Sequence, residues 1–363
     1  MKKLSILHVV GARPNFMKIA PVLEACARRP RLASTLVHTG QHYDEKMSQL
    51  FFEELGIPRP DVDLEVGSGS QASQTALILQ RIEPLLLERR PDLVLVVGDV
   101  NSTVACGLAA VKLGIPVAHV EAGLRSFDRS MPEEINRIVT DAISELLFVT
   151  EQSGVDNLAR EGALPSKVHL VGNVMIDTLV KHRASASRSD VLSRLSLSSR
   201  GFAVLTLHRP ANVDDKETFA RLLEPIAELS RDVPVIFPVH PRTRAALDAL
   251  AGGWPEAVKV RAIEPLGYLD FLKLMSEARL VLTDSGGIQE ETTILGVPCV
   301  TLRDNTERPV TLTHGTNILA GTEASGIRSA IRTALDRSGP APPPPPLWDG
   351  HAAERIADVL ERL

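Results

Sequence analysis

Residues 93–121 read LVLVVGDVNSTVACGLAAVKLGIPVAHVE. The opening LVLVV is apolar at every position, so both of its faces must be covered, and a buried strand is predicted at 93–97. A helical pattern follows at 103–113, and a second apolar strand is predicted at 117–120. A buried strand, a helix and another buried strand make one unit of a parallel sheet with helices on both faces. The same alternation extends outward. Strands are predicted at 4–10, 35–39, 146–149 and 168–171, with helical patterns at 17–29, 72–88 and 133–144. It then restarts, with strands at 202–206, 235–238, 258–261, 280–283 and 299–302. The expected fold class is α/β, with two doubly wound, Rossmann-like domains over 1–172 and 173–350. Two domains also suit a chain of 363 residues. The segment 181–200 is rich in Ser and Arg and reads as surface. The run GPAPPPPP at 339–346 reads as a stiff spacer before a last helix, 351–363, expected to pack back on the first domain.

Forty basic and 45 acidic side chains give a formal charge of −5, which argues against a broad nucleic-acid surface. A small anionic ligand needs only a few local cations and is not excluded. Cys26, Cys106 and Cys299 sit in apolar contexts and read as reduced core thiols of a cytoplasmic protein. No C-x-x-C or H-E-x-x-H occurs, and no metal is expected. The N-terminal MKKLSILHVVGARPNF reads as a first strand rather than a signal peptide, and no run of 18 apolar residues suggests a membrane span.

Ligands of open α/β sheets bind beyond the carboxyl ends of the strands, and the polar residues of interest follow strands in both halves. The first strand runs into Gly11-Ala12-Arg13-Pro14-Asn15-Phe16-Met17-Lys18, where Arg13 and Lys18 could flank an anion at a helix start. Two solvated cations are the plainer alternative. Gly67-Ser68-Gly69-Ser70-Gln71-Ala72 reads as a loop leading into a helix rather than a dinucleotide fingerprint. Asp99 either caps the next helix or faces a ligand, and capping is the commoner use of such a residue. Glu121 lies beyond another strand, and Glu133 and Glu134 open a helix, where acids suit the dipole. In the second half, His208 and Arg209 follow one strand, and His240, Arg242 and Arg244 follow the next. Asp284-Ser285-Gly286-Gly287 then starts a helix whose amides could approach a diphosphate, with Glu291 one turn in as acceptor for two ribose hydroxyls.

The stretches GARPNFMK, TGQH, GDVNST, VEAGLRS, PEEINR, LHRP, TDSGGIQEE and RDNTERP, in this order, resemble the non-hydrolysing UDP-N-acetylglucosamine 2-epimerases along nearly the whole chain. The resemblance implies the GT-B arrangement of two Rossmann domains with the ligand cleft between them. It implies interconversion of UDP-GlcNAc and UDP-ManNAc for surface polysaccharides, without a cofactor, by a cytoplasmic homodimer. On this basis the catalytic residues fall on Asp99, Glu121, Glu133 and His208. The groups binding UDP and substrate fall on Arg13, Lys18, Arg209, Ser285, Gly286, Gly287 and Glu291. The chain also departs from the pattern. Asn15 stands where many members carry an acid. Tyr43 and Ser73 stand where self-activated members carry arginines, so no separate activating site is expected.

The C2 hydrogen of a GlcNAc unit is not acidic. An enzyme must either oxidise a neighbouring carbon or expel the C1 substituent, and the lack of a convincing dinucleotide fingerprint favours expulsion of UDP. Three alternatives remain at this point: a 2-epimerase of UDP-diacetamido-glucuronate type, a GT-B glycosyltransferase, and a catalytically silent nucleotide-sugar sensor, against which the retained acids argue.

Overall fold

The computed structural model describes residues 3–40, 54–249, 259–337, 339 and 341–363; the side chains of Arg13, Pro241 and Arg242 are outside that description, as are Gln41, His42, Tyr43 and Asp44. The chain divides into two compact units, Met1–Lys181 with Pro346–Leu363, and His182–Pro345.

The first unit holds seven parallel strands: β1 (Leu4–Val10), β2 (Leu32–His38), β3 (Val62–Asp63), β4 (Leu93–Val97), β5 (Val117–Ala122), β6 (Leu146–Val149) and β7 (Val168–Leu170). Their order is β3-β2-β1-β4-β5-β6-β7. All five residues of β4 are buried, as LVLVV demands of a central strand. The helix Gln71–Arg89 lays Ile78, Ile82, Leu85 and Leu86 on the sheet, and Ala105, Ala109 and Ala110 of the helix Asn101–Lys112 join the same core.

The second unit repeats the plan with β8 (Ala203–Thr206), β9 (Val235–Pro238), β10 (Val260–Ile263), β11 (Leu280–Thr283), β12 (Cys299–Thr301) and β13 (Asn317–Leu319). Their order is β10-β9-β8-β11-β12-β13, again parallel throughout. Phe219, Leu222 and Ile226 of the helix Lys216–Asp232 pack on Ala203, Leu205, Val235 and Phe237. Full burial of such side chains contributes about 1.5–3 kcal/mol each. The short strand β13 was not predicted. It has only three residues, two of them half-buried, and no apolar run to announce it.

In both sheets the strand order reverses at one place, between β1 and β4 in the first unit and between β8 and β11 in the second. These are the topological switch points at which ligands bind in such sheets.

The division between units falls inside the helix Val174–Ala186 rather than at residues 172 and 173. The first half of that helix is tied to the first unit. Thr178 Oγ1 donates to the Met17 carbonyl, and the Asp177 carboxylate accepts from Ala352 N at 3.1 Å and Ala353 N at 2.7 Å. The last helix, Ala352–Glu361, thus belongs to the first unit, where Arg29 pairs with Asp358 and Arg31 donates to the Glu361 carbonyl at 2.7 Å. Trp348 donates its indole N–H to the Thr150 carbonyl at 3.0 Å, seating the segment that leads into it. Among the described residues, no helix is long and apolar enough to cross a membrane.

Candidate active site

At the switch point of the first unit, the turn after β1 lies against the turns after β4 and β5. Gly11 has to be glycine, because a Cβ there would run into the Ser102 side chain and Thr39 Oγ1. Asn15 knits this turn together. Its Oδ1 accepts from Gly11 N at 3.2 Å and Ala12 N at 3.0 Å, and its Nδ2 donates to the Val97 carbonyl at 3.0 Å. An acid at this position could not make the last bond. One turn on, the Lys18 ammonium pairs with the Glu121 carboxylate, and both side chains are buried.

Glu121 is held in an unusual way. The register between β5 and β6 slips between Val120 and Ala122, so Glu121 is the extra residue of a bulge. Its φ is 74°, a left-handed conformation that costs a non-glycine residue about 1–2 kcal/mol. Its Oε2 meets Lys18, while its buried Oε1 has no partner among the described residues. A buried carboxylate oxygen without a partner, on a strained bulge, is where a ligand group would be expected. Gly98 packs directly against this pair. Its φ is 69°, and a Cβ there would lie 3.0 Å from Lys18 Nζ and 3.5 Å from Glu121 Oε2.

Behind this turn His119 is fully buried, with Nδ1 2.6 Å from Asp141 Oδ1 and Nε2 2.8 Å from the Gly98 carbonyl. Burial would raise the Asp141 carboxyl, but His119, Arg125 and the Gly123 N–H together hold it below the usual range. Arg125, from the VEAGLRS stretch, is taken up by Asp141 and by a two-pronged contact with Glu161.

Asp99 does not cap the helix Asn101–Lys112, whose N-cap is Val100. Its carboxylate instead accepts from Arg137 Nε at 3.0 Å and pairs with the same guanidinium through Nη2. Of the two acids that open the helix Pro132–Ile143, Glu134 is structural. It accepts from Ser126 N, Phe127 N and Arg137 Nη1 at 2.8–2.9 Å. Glu133 is half-buried, and its side chain makes no hydrogen bond or ion pair among the described residues.

In the second unit, the ends of β8 and β11 meet around Asp284. This fully buried carboxylate accepts from His208 N at 3.0 Å, Arg209 N at 2.9 Å and Asn212 Nδ2 at 3.2 Å, and lies 2.9 Å from His208 Nδ1. Burial alone would raise its pKa, but His208 and the two backbone amides hold it down at about 2. The His208 side chain is 43% exposed. Arg209 donates through Nε to the Asp284 carbonyl at 2.9 Å.

Ser285 is the N-cap of the helix Gly286–Leu295, and its hydroxyl makes no capping bond. Below it lies a buried charge cluster. Arg303 grips Glu307 with two bonds of 2.7 and 2.9 Å; Arg308 donates to Glu290 at 2.6 Å and to Glu307 at 3.3 Å. Gly286 is needed here for lack of a side chain, since a Cβ would fall 2.5 Å from Arg308 Nη1 and 2.8 Å from its Cζ. That guanidinium is pinned and cannot swing aside. Gly286→Ala is therefore expected to cost about 1–3 kcal/mol, read as a fall in melting temperature. Glu291 is buried, with Tyr268 donating its hydroxyl to Oε1 at 3.0 Å. Burial raises the Glu291 carboxyl to about 8, Tyr268 partly opposing and Glu290 adding to the rise.

A family model described as UDP-N-acetylglucosamine 2-epimerase matches residues 24–361. The chain belongs to this epimerase family. A UDP-N-acetylglucosamine 2-epimerase of Methanocaldococcus jannaschii is 43% identical over 365 residues, covering 99% of this chain and 98% of that protein. A UDP-2,3-diacetamido-2,3-dideoxy-D-glucuronate 2-epimerase of Pseudomonas aeruginosa is 42% identical over 371 residues, covering 99% and 100%. Among solved structures, the Methanocaldococcus jannaschii UDP-GlcNAc 2-epimerase in complex with UDP-GlcNAc and UDP aligns at a TM-score of 0.91, with 41% identity over 100% of both chains. The two parallel sheets are those of GT-B-like epimerases.

Within this family member, Lys18 and Glu121 touch, with Asn15 and Gly98 beside them. In the second unit His208 and Arg209 converge on Asp284, next to Ser285 and Gly286. Glu291 lies one turn further along and pairs with Tyr268 instead of the charge cluster. Sequence reasoning singled out neither the carboxylates Asp284, Glu290 and Glu307 nor the buried arginines Arg137 and Arg308 as site residues. The signal available was the density of charge in TDSGGIQEE and RDNTERP, more than solvated loops need.

Proposed function

We propose that the chain interconverts UDP-GlcNAc and UDP-ManNAc by expelling UDP to 2-acetamidoglucal and re-adding it with inversion at C2. The observation that carries this is Glu121: a carboxylate on a strained bulge, its one oxygen paired with Lys18 and its other oxygen buried without a partner among the described residues. In the forward step a carboxylate takes the C2 proton, that electron pair forms the C1–C2 double bond, and the C1–O bond breaks toward UDP. Glu121 suits the base. The returning proton comes from a second carboxyl group, for which Asp99 and Glu133 are the candidates. Arg13, Lys18, His208, Arg209 and the amides of Ser285, Gly286 and Gly287 are the groups proposed to stabilise the departing diphosphate. No step requires a nicotinamide. A cytoplasmic homodimer completes the reading, and light scattering tests the oligomer.

A second substrate has specific support, since the Pseudomonas aeruginosa relative that acts on the diacetamido-glucuronate nucleotide matches over its entire length. NMR of the purified enzyme with UDP-GlcNAc and, separately, with UDP-diacetamido-glucuronate tests both. Epimer from the first substrate supports the proposal, and epimer from the second alone replaces it. Either sugar emerging unchanged, with UDP released only on adding an acceptor, points to a glycosyltransferase.

Glu291 is proposed to accept the ribose hydroxyls. Glu291→Ala is expected to weaken UDP binding by roughly 1.5–3 kcal/mol in calorimetry at about pH 9, where the carboxyl is ionised. The raised pKa adds a signature. Below about 8 the carboxyl holds a proton and accepts less well, so UDP affinity should rise about tenfold between pH 7 and 9 and be flat in Glu291→Gln. The sign for stability is opposite. The folded state keeps a proton that the unfolded chain releases near pH 4.5, so this group's contribution is full below that pH and is lost as pH rises through about 8. A pH-independent UDP affinity would count against the ribose assignment.

A further inference from the structure

Among the described residues each unit contains a buried aspartate against the Nδ1 of a histidine, and the two pairs differ in what the other ring nitrogen meets. In the first unit Nε2 of His119 ends on the Gly98 carbonyl, and the ring is completely buried. That pair is a clamp for the turn. In the second unit Asp284 is as deeply buried as Asp141, but the His208 side chain it holds is 43% exposed at the carboxyl end of β8. An ionised carboxylate can only accept, so the hydrogen between Asp284 and His208 resides on Nδ1. The same carboxylate also takes the His208 and Arg209 backbone N–H groups and the Asn212 side chain, so the ring and its own backbone share one anchor.

We propose that Asp284 is a positioning residue for the reaction: it fixes the tautomer and direction of His208, so that Nε2 is presented to the diphosphate as UDP departs. The proposal rests on the epimerase reading above. A histidine held on a buried carboxylate gains in two ways. It loses little rotational freedom when the substrate binds, and with Nδ1 already occupied by the carboxylate only Nε2 is left to meet the leaving group.

The test is a double-mutant cycle. Asp284→Asn nearly keeps the size and retains an oxygen for the backbone amides, but places an NH2 group where Nδ1–H needs an acceptor. It is expected to lower kcat by about 10²-fold with KM changed less than about threefold, and His208→Gln should do about the same. In the double variant the second change should add less than threefold, because Asp284 acts through the ring. Independent, multiplying losses would show that Asp284 merely supports the fold, and the proposal would fail. Nitrogen-15 NMR of the wild-type protein gives an arm free of turnover and of variant folding. It should show a hydrogen on Nδ1 of His208, strongly hydrogen-bonded; an unprotonated Nδ1 overturns the proposal. If the wild-type protein epimerises no UDP-sugar, the functional reading falls, and with it the catalytic role for Asp284. The NMR arm then still decides whether the pair itself exists.

Discussion

Turnover of UDP-GlcNAc in D2O is expected to place deuterium at C2 of the epimer with no added nicotinamide, and Glu121→Gln is expected to lower turnover by about 10²-fold or more. The two results have one cause. A C2 proton taken by a side chain can exchange with solvent before a proton returns, whereas hydride transfer to and from a cofactor would retain the original hydrogen. Glutamine keeps the shape of Glu121 but cannot serve as a base. It can still bond Lys18 through its amide oxygen, so the fold should survive and the melting temperature should fall by only a few degrees. The strained φ of 74° is a property of the bulge and stays with the backbone. Loss of activity without loss of fold therefore separates chemistry from scaffolding at this position. Because the glycal and UDP are held noncovalently between steps, a variant impaired only in returning the proton should release both, and Asp99→Asn and Glu133→Gln are the variants in which to look. Quantitative retention of the C2 hydrogen through epimerisation would remove the main support for elimination and re-addition.

The parts of the molecule that were legible in the sequence share a physical basis. LVLVV declares a central strand because nothing but two covered faces tolerates five apolar residues in a row, and β4 is buried throughout. The residues beyond the strand ends were legible because a parallel sheet directs every strand's carboxyl end toward the ligand edge. What stayed hidden depends on partners far along the chain. Asp99 reads locally as a helix cap, yet its partner Arg137 is 38 residues away and arrives from another helix. Asn15 reads as a lost acid beside a phosphate site; in the fold its amide reaches the carbonyl of Val97, a bond only a donor can make. Nothing in His119-Val120-Glu121-Ala122 announces a bulge, because the slip belongs to the pairing with β6 and not to either strand alone. Of the two positions from which the absence of an activating site was inferred, Tyr43 lies outside the described residues and Ser73 is exposed in the first turn of the helix Gln71–Arg89.

Glu307→Ala is expected to destabilise the second unit by about 3–5 kcal/mol, although Glu307 is proposed for no chemical role. The glutamate is completely buried and accepts two bonds from Arg303, a longer one from Arg308 at 3.3 Å and a contact from Arg209 at 3.5 Å. Deleting it leaves the Arg303 guanidinium, itself only 6% exposed as a side chain, buried beside Arg308 without its two-pronged partner. A buried charge stripped of its partner costs more than the pair was worth, because desolvation has already been incurred and no attraction offsets it. The same argument yields a sharper outcome for the double variant. Replacing Arg303 by Met together with Glu307 by Leu removes both charges, so it should be less harmful than Glu307→Ala alone, while Arg308 keeps Glu290 at 2.6 Å. Hydrogen exchange of the amides in β11 and β12 reads this directly, since their slowest exchange reports the opening of the unit that contains them. A loss below about 1 kcal/mol for Glu307→Ala would mean that water reaches the freed guanidinium. A double variant worse than the single would mean that the cluster holds the RDNTERP segment against the helix Gly286–Leu295 through shape rather than charge.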